Sequence, residues 1–102
     1  MRRGWSIAAL GALVAASVGG CGPIAYVVAV NDAAQSVEQA RQAGAPESAG
    51  YDYWYAVEHL NKAREFAGEA EYQNAMDMAG EAEESGDRAA GIARRRQHEQ
   101  GR

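Results

Sequence analysis

The chain carries two histidines, His59 and His98. Neither has a carboxylate or a second histidine three or four residues away, the spacing that puts two ligands on one helix face as in an H-E-x-x-H zinc site. Glu58 adjoins His59 but projects about 100° away from it on a helix. The acid-rich run Glu81, Glu83, Glu84 and Asp87 lacks the alternating oxygen ligands, turn glycine and terminal glutamate of a calcium loop. Ala82 and Ala89 continue a helical stripe through it, so it reads as a solvated face. Ser36, Ser48 and Ser85 have no base at motif spacing and hence no means of activation. These residues predict a protein that is not an enzyme and holds neither metal nor cofactor.

Cys21 is the single cysteine, so no intramolecular disulfide can form, and an odd thiol calls for another use. Before it stand, in order, Arg2-Arg3, an apolar run over residues 5–16, and Ser17-Val18-Gly19-Gly20. Those are the basic, apolar and small-residue regions of a secretory signal. Val18-Gly19-Gly20-Cys21 resembles the lipobox of bacterial lipoproteins, in which an aliphatic residue and two small ones let the signal be cut just before a cysteine that becomes acylated. Gly19 replaces the usual alanine or serine, and Val18 the usual leucine. The resemblance implies that residues 1–20 are a lipoprotein signal peptide, that Cys21 is the lipidation site, and that residues 21–30 are the anchor and membrane-proximal segment. Gly22 in place of aspartate implies the outer membrane, facing the periplasm, in a diderm source. The alternative is an uncleaved membrane helix, because the uncharged run over residues 4–31 exceeds the ~20 residues needed to span. Gly19, Gly20, Gly22 and Pro23 break that run at its middle, which would leave backbone groups unpaired in hydrocarbon at several kcal/mol each.

Without residues 1–20 the chain keeps eight basic and all fourteen acidic residues, a formal charge of −6. That opposes nucleic-acid binding, for which a basic field is the expected footprint. Pro23 suits a first helical turn, and Tyr26, Val30, Ala33, Val37 and Ala40 recur at steps of four and three, a helix stripe. Gly44 terminates it, and residues 45–50 read as a connector. A second helix starts near Tyr51-Asp52, with Asp52 as cap, and runs through Tyr53, Ala56, Leu60, Ala63 and Ala67 to Gly68. The third opens at Tyr72, continues through Ala75, Ala79, Ala82, Gly86, Ala89 and Ala93, and ends in Arg94-Arg95-Arg96, cations that complement the helix dipole.

A glycine within a helix costs only ~1 kcal/mol relative to alanine, so residues 51–96 could also form one long bent helix; a turn near Gly68 lets the two alanine stripes face each other. The predicted fold is all-α, a small helical hairpin or three-helix unit with coiled-coil-like spacing, over residues 31–96, followed by a basic disordered tail at 97–102. Residues 24–30 are apolar nearly all round and are expected to pack on the other helices rather than lie against lipid headgroups. Only nine Ile, Leu, Val or Phe residues follow Gly20, so alanine and tyrosine must supply the core. So thin a core is worth only a few kcal/mol of net stability.

Tyr55-Ala56, Leu60, Ala63, Tyr72, Ala75, Ala79 and Ala82 resemble the helix pair of a tetratricopeptide unit, but one pair is present where such stacks need about three. With Ala40-Arg41-Gln42-Ala43-Gly44-Ala45-Pro46 and the lipobox, the pattern over residues 33–93 resembles a family of short, alanine-rich bacterial envelope lipoproteins whose domain has no assigned function. Some members carry the unit ahead of an OmpA-like peptidoglycan-binding domain, which this chain is expected to lack. The resemblance brings no active site with it.

Four of the eight aromatic residues lie at Tyr51, Tyr53, Trp54 and Tyr55. Successive helical residues point in different directions, so these four cannot all be core. They either cap the bundle end or present an interface, where tyrosine and tryptophan serve well. Arg94, Arg95 and Arg96, with Arg102 beyond, either meet anionic lipid or cell wall or are simply solvated. The expected function is that of a membrane-anchored envelope lipoprotein acting as a structural or protein-interaction module, with the membrane reached through Cys21 and an envelope protein as partner. The alternative is a peptidoglycan-binding module that stacks glycan on residues 51–55.

Overall fold

The computed structural model describes residues 21–101. The signal peptide assigned to residues 1–20 lies outside the described residues, as does Arg102. Four helices follow in order: α1 (Cys21–Gln42), α2 (Ala45–Ser48), α3 (Gly50–Gly68) and α4 (Tyr72–Gln100). No strand occurs among the described residues. Tyr72 meets Tyr26, Gly86 meets Ser36 and Gln97 reaches Ala43, so α4 runs parallel to α1, and α3 returns between them. The fold is thus all-α, a three-helix unit rather than a hairpin. With 29 residues, α4 is about 43 Å long at ~1.5 Å per residue. It is the spine: α1 and α3 each pack along it and meet each other over a narrower strip.

Small side chains make this packing possible. Apart from Tyr53 and Leu60, every buried hydrophobic among the described residues is an alanine. At one level Ala33, Leu60, Ala63, Ala79 and Ala82 pack together, with Val30, Val37 and Met78 against them. Toward the other end Tyr53 fills the space among Ala40, Ala45, Ala49, Ala89 and Ala93. Between these levels the backbones of α1 and α4 approach closely at Gly86. A Cβ on Gly86 would lie 3.0 Å from both the carbonyl carbon and Cβ of Ser36. Ser85 is fully buried beside this point, its Oγ accepting a 2.8 Å hydrogen bond from Arg88 Nη2. The expected stripes hold on α3 and α4, except that Ala67 is only half-buried.

The turns depart from the sequence reading in three places. Gly44 ends α1 with φ +84°, as its type allows, but the connector after it winds into the single turn α2. Pro46 sits in its first turn, and the Ser48 and Ala49 amides donate to the Gly44 and Ala45 carbonyls. Gly68 is still helical; the left-handed residue that ends α3 is Ala70, φ +61°. There the Glu71 amide donates to the Phe66 carbonyl at 2.9 Å and the Ala70 amide to that of Ala67 at 3.0 Å, the paired closure of a Schellman motif with alanine where glycine is usual. The tail at 97–102 is not disordered through Gln100, because α4 continues to that residue. Its last turns have tertiary partners: Gln97 Nε2 donates to the Ala43 carbonyl at 2.8 Å and Arg96 to the Ser48 carbonyl.

At the start of α1 the expected packing is incomplete. Tyr26, Ala29 and Val30 take the one face that α3 and α4 offer, whereas Ile24, Val27 and Val28 remain 68%, 50% and 57% exposed.

Candidate functional site

Helix α3 divides the aromatic cluster by direction. Tyr53 turns inward and is 7% exposed, while Tyr51 and Trp54 are 82% and 54% exposed. Trp54 lies edge-on to Tyr53, with ring centroids 4.9 Å apart and planes at 73°, a favoured aromatic geometry. Tyr51, Tyr55 and His59 stand on successive turns, and the four-residue spacing makes them neighbours on one face. Tyr51 and Tyr55 are 6.2 Å apart at 30°, and Tyr55 and His59 stack at 3.8 Å and 20°. His59 Nδ1–H donates to the Tyr55 carbonyl at 2.9 Å, which fixes the imidazole flat over the phenol ring. Composition alone does not place His59 on this face; the 51/55/59 spacing is the sequence signal for it.

Charged groups of α4 line the edge of the column. The Tyr55 hydroxyl points to Glu81 Oε2 at 3.5 Å, a long and weak contact. Burial first, and then the negative charge of Glu81, raise the Tyr55 phenol above its ordinary pKa. Arg88 Nε lies 3.4 Å from Asp52 Oδ1 while its Nη2 holds Ser85, so one guanidinium ties the outer edge of α3 to the seam of α4. Further along α3, the Lys62 ammonium sits 5.2 Å from the Phe66 ring centroid. On α1, Arg41 pairs with Glu38 at 2.6 Å, and that hydrogen bond holds the Glu38 carboxyl below its usual range.

The other predicted site residues are scattered. Arg94 and Arg95 are exposed, but Arg96 is occupied by the Ser48 carbonyl. All three stand at the end of the bundle away from Cys21, because Gln97 bonds to Ala43 at the far end of the 22-residue α1, about 33 Å along the helix. Cys21 itself opens α1. Glu81, Glu84 and Asp87 are exposed along α4, with Glu83 half-buried. Among the described residues, no group of three or more His, Cys, Asp or Glu is placed to hold a metal ion, and no helix is long and apolar enough to cross a membrane.

No curated protein and no solved structure matches the chain. A family model does: that of a domain of unknown function, DUF4398, over residues 28–102. The match begins within the second turn of α1 and takes in α2, α3 and α4, a longer stretch than the alanine spacings alone mark out. The small-residue seam, the Gly44 turn and the outward face of α3 all lie inside it, and the chain belongs to the DUF4398 family.

Proposed function

We propose that the protein is a lipid-anchored envelope lipoprotein whose bundle docks another protein through the outer face of α3, centred on Tyr51 and Trp54. The observation that carries this reading is the exposure of those two rings, 82% and 54%, beside the charged groups Asp52, Glu81 and Arg88. Large aromatic side chains rimmed by polar groups are what interface hot spots are made of. The anchor rests on the lipobox-like residues 18–21 that lead directly into α1. Cys21 acylation would place the bundle at a membrane, outer and periplasm-facing by the Gly22 argument.

The glycan reading is less well supported. A sugar ring needs a free aromatic face, yet His59 covers one face of Tyr55 and Tyr53 is buried. Only Tyr51 and Trp54 of the cluster remain for stacking. The test is a photo-reactive phenylalanine at position 51 of the full chain, activated in intact cells. One discrete cross-linked protein, lost on Trp54→Ala, is expected. If purified cell-wall sacculi instead retain the protein, and Tyr51→Ala with Trp54→Ala abolishes retention, the partner is glycan. Mass spectrometry of the membrane form checks the anchor separately, and a chain that keeps residues 1–20 would sink it.

A further inference from the structure

We infer that the outward face at the start of α1, formed by Ile24, Val27 and Val28, is seated in the lipid interface and makes the bundle lean onto its α1 side. This inference rests on the membrane-anchor reading of Cys21. Five large hydrophobics are exposed among the described residues; two are Tyr51 and Trp54, and the other three are these. They follow Cys21 by three, six and seven residues, about 4–11 Å of helix rise, so all three lie within two turns of the acylated residue, close enough for a leaning helix to sink this face into the headgroup and upper acyl region as amphipathic helices do.

The face has a sharp end. Ile24, Val28, Asn31 and Gln35 fall on one outward line at four- and three-residue steps, and the line changes from apolar to polar between Val28 and Asn31. No charged residue occurs from Cys21 to Asn31. After cleavage the chain begins at the acylated Cys21, and the uncharged stretch from there to Asn31 carries these exposed side chains, so the acyl anchor holds them at the bilayer, which makes lipid the occupant in preference to a protein.

The same end of the bundle carries other interfacial residues. Tyr26 and Tyr72 pair at 6.0 Å, and Lys62 lies over Phe66; amphipathic rings and long-stemmed cations are common at the membrane boundary. Opposing them, Glu69 and Glu71 are exposed in the α3–α4 turn. Carboxylates avoid an anionic surface, so the turn stays in water while α1 dips, and the bundle tilts instead of standing upright on Cys21.

The test uses the full chain, acylated in a bacterial host and reconstituted into phosphatidylcholine–phosphatidylglycerol vesicles with and without brominated acyl chains. In a Trp54→Phe background, Ile24→Trp should give blue-shifted emission that brominated lipid quenches. Gln35→Trp, on the same line beyond the polar boundary, should emit as in water and be unaffected. Both positions are exposed, and circular dichroism confirms that each variant is folded. If the chain floats with the vesicles but Ile24→Trp is unquenched, this inference falls and the anchor reading stands. If the acylated chain does not float with the vesicles, both fall.

Discussion

Helix α4 contains three interior glycines that make a controlled experiment. Nothing lies within 4 Å of a Cβ placed on Gly80 or Gly91, but one placed on Gly86 meets the Ser36 carbonyl carbon and Cβ at 3.0 Å and its oxygen at 3.2 Å. Ordinary contacts between carbon atoms lie near ~3.5–4.0 Å, so the added methyl is about half an ångström too close, and two of its three neighbours are backbone atoms. Helix propensity favours alanine over glycine by ~1 kcal/mol at each position. Gly80→Ala and Gly91→Ala should therefore stabilise the bundle by about that amount. At Gly86 the same gain is set against an overpacking cost of ~1–3 kcal/mol, because α1 must move as a unit. Gly86→Ala should end up neutral to ~2 kcal/mol destabilised, which leaves it ~1–3 kcal/mol below Gly80→Ala. Urea unfolding at constant m gives the comparison, and thermal melts should show ~4–8 °C per kcal/mol for a domain of this size. If Gly86→Ala stabilised as much as Gly80→Ala, α1 and α4 would not approach each other as closely as described.

Other outcomes follow from the same contacts. Ala79, fully buried in the seam, should not accept Leu without a loss of ~1–3 kcal/mol, whereas Glu84→Ala on the exposed side should change stability by less than ~0.5 kcal/mol; urea melts compare them. Ala70→Gly should stabilise by about 1 kcal/mol, since a left-handed alanine is strained and glycine is not; no gain in the melt would place the turn elsewhere. Gln97→Ala should cost ~0.5–1.5 kcal/mol by removing the bond to the Ala43 carbonyl, and amide exchange at Ala43–Ser48 should speed up. The Tyr55 phenol should ionise above its ordinary range in a titration followed at ultraviolet wavelengths. Its folded value is raised, so its contribution to stability is full below the ordinary phenol pKa of about 10 and is lost as pH rises through the folded value. Tyr55→Phe should abolish that alkaline loss, and Glu81→Gln should bring the phenol closer to its ordinary value.

Much of this architecture is legible in residue spacing. The three-and-four recurrence of alanine picks out the buried lines of α3 and α4 because a helix has one periodicity and a small bundle one interior. The details of the turns are less legible, since a Schellman closure depends on which carbonyls lie free after the last turn, and Ala70 adopts the left-handed geometry although Gly68 stands two residues earlier. The helical state of residues 97–100 was hidden for a related reason: it depends on Ala43 and Ser48, far away in sequence, offering carbonyls to Gln97 and Arg96. Of the candidate site, the splitting of residues 51–55 into inward and outward rings follows from helix geometry. The cover of His59 over Tyr55 depends on a hydrogen bond to the backbone, which spacing permits but does not require.

A seam built largely from one repeated side chain does little by itself to fix how the helices slide past one another. Shift α4 by one heptad along α1, and Ala75 takes the place of Ala82 and Ala82 that of Ala89, alanine for alanine. What resists such a shift is the contacts that are not alanine on alanine: the hollow at Gly86 that admits the Ser36 backbone, the tyrosine pair at one end, Tyr53 among the alanines of α1 and α4, and the Gln97 and Arg96 bonds at the other end. The alanines supply cohesion that is almost indifferent to register, and these contacts decide which register is native. Loss of these contacts together should show first as a second, slipped population of otherwise helical bundles, before any helix is lost.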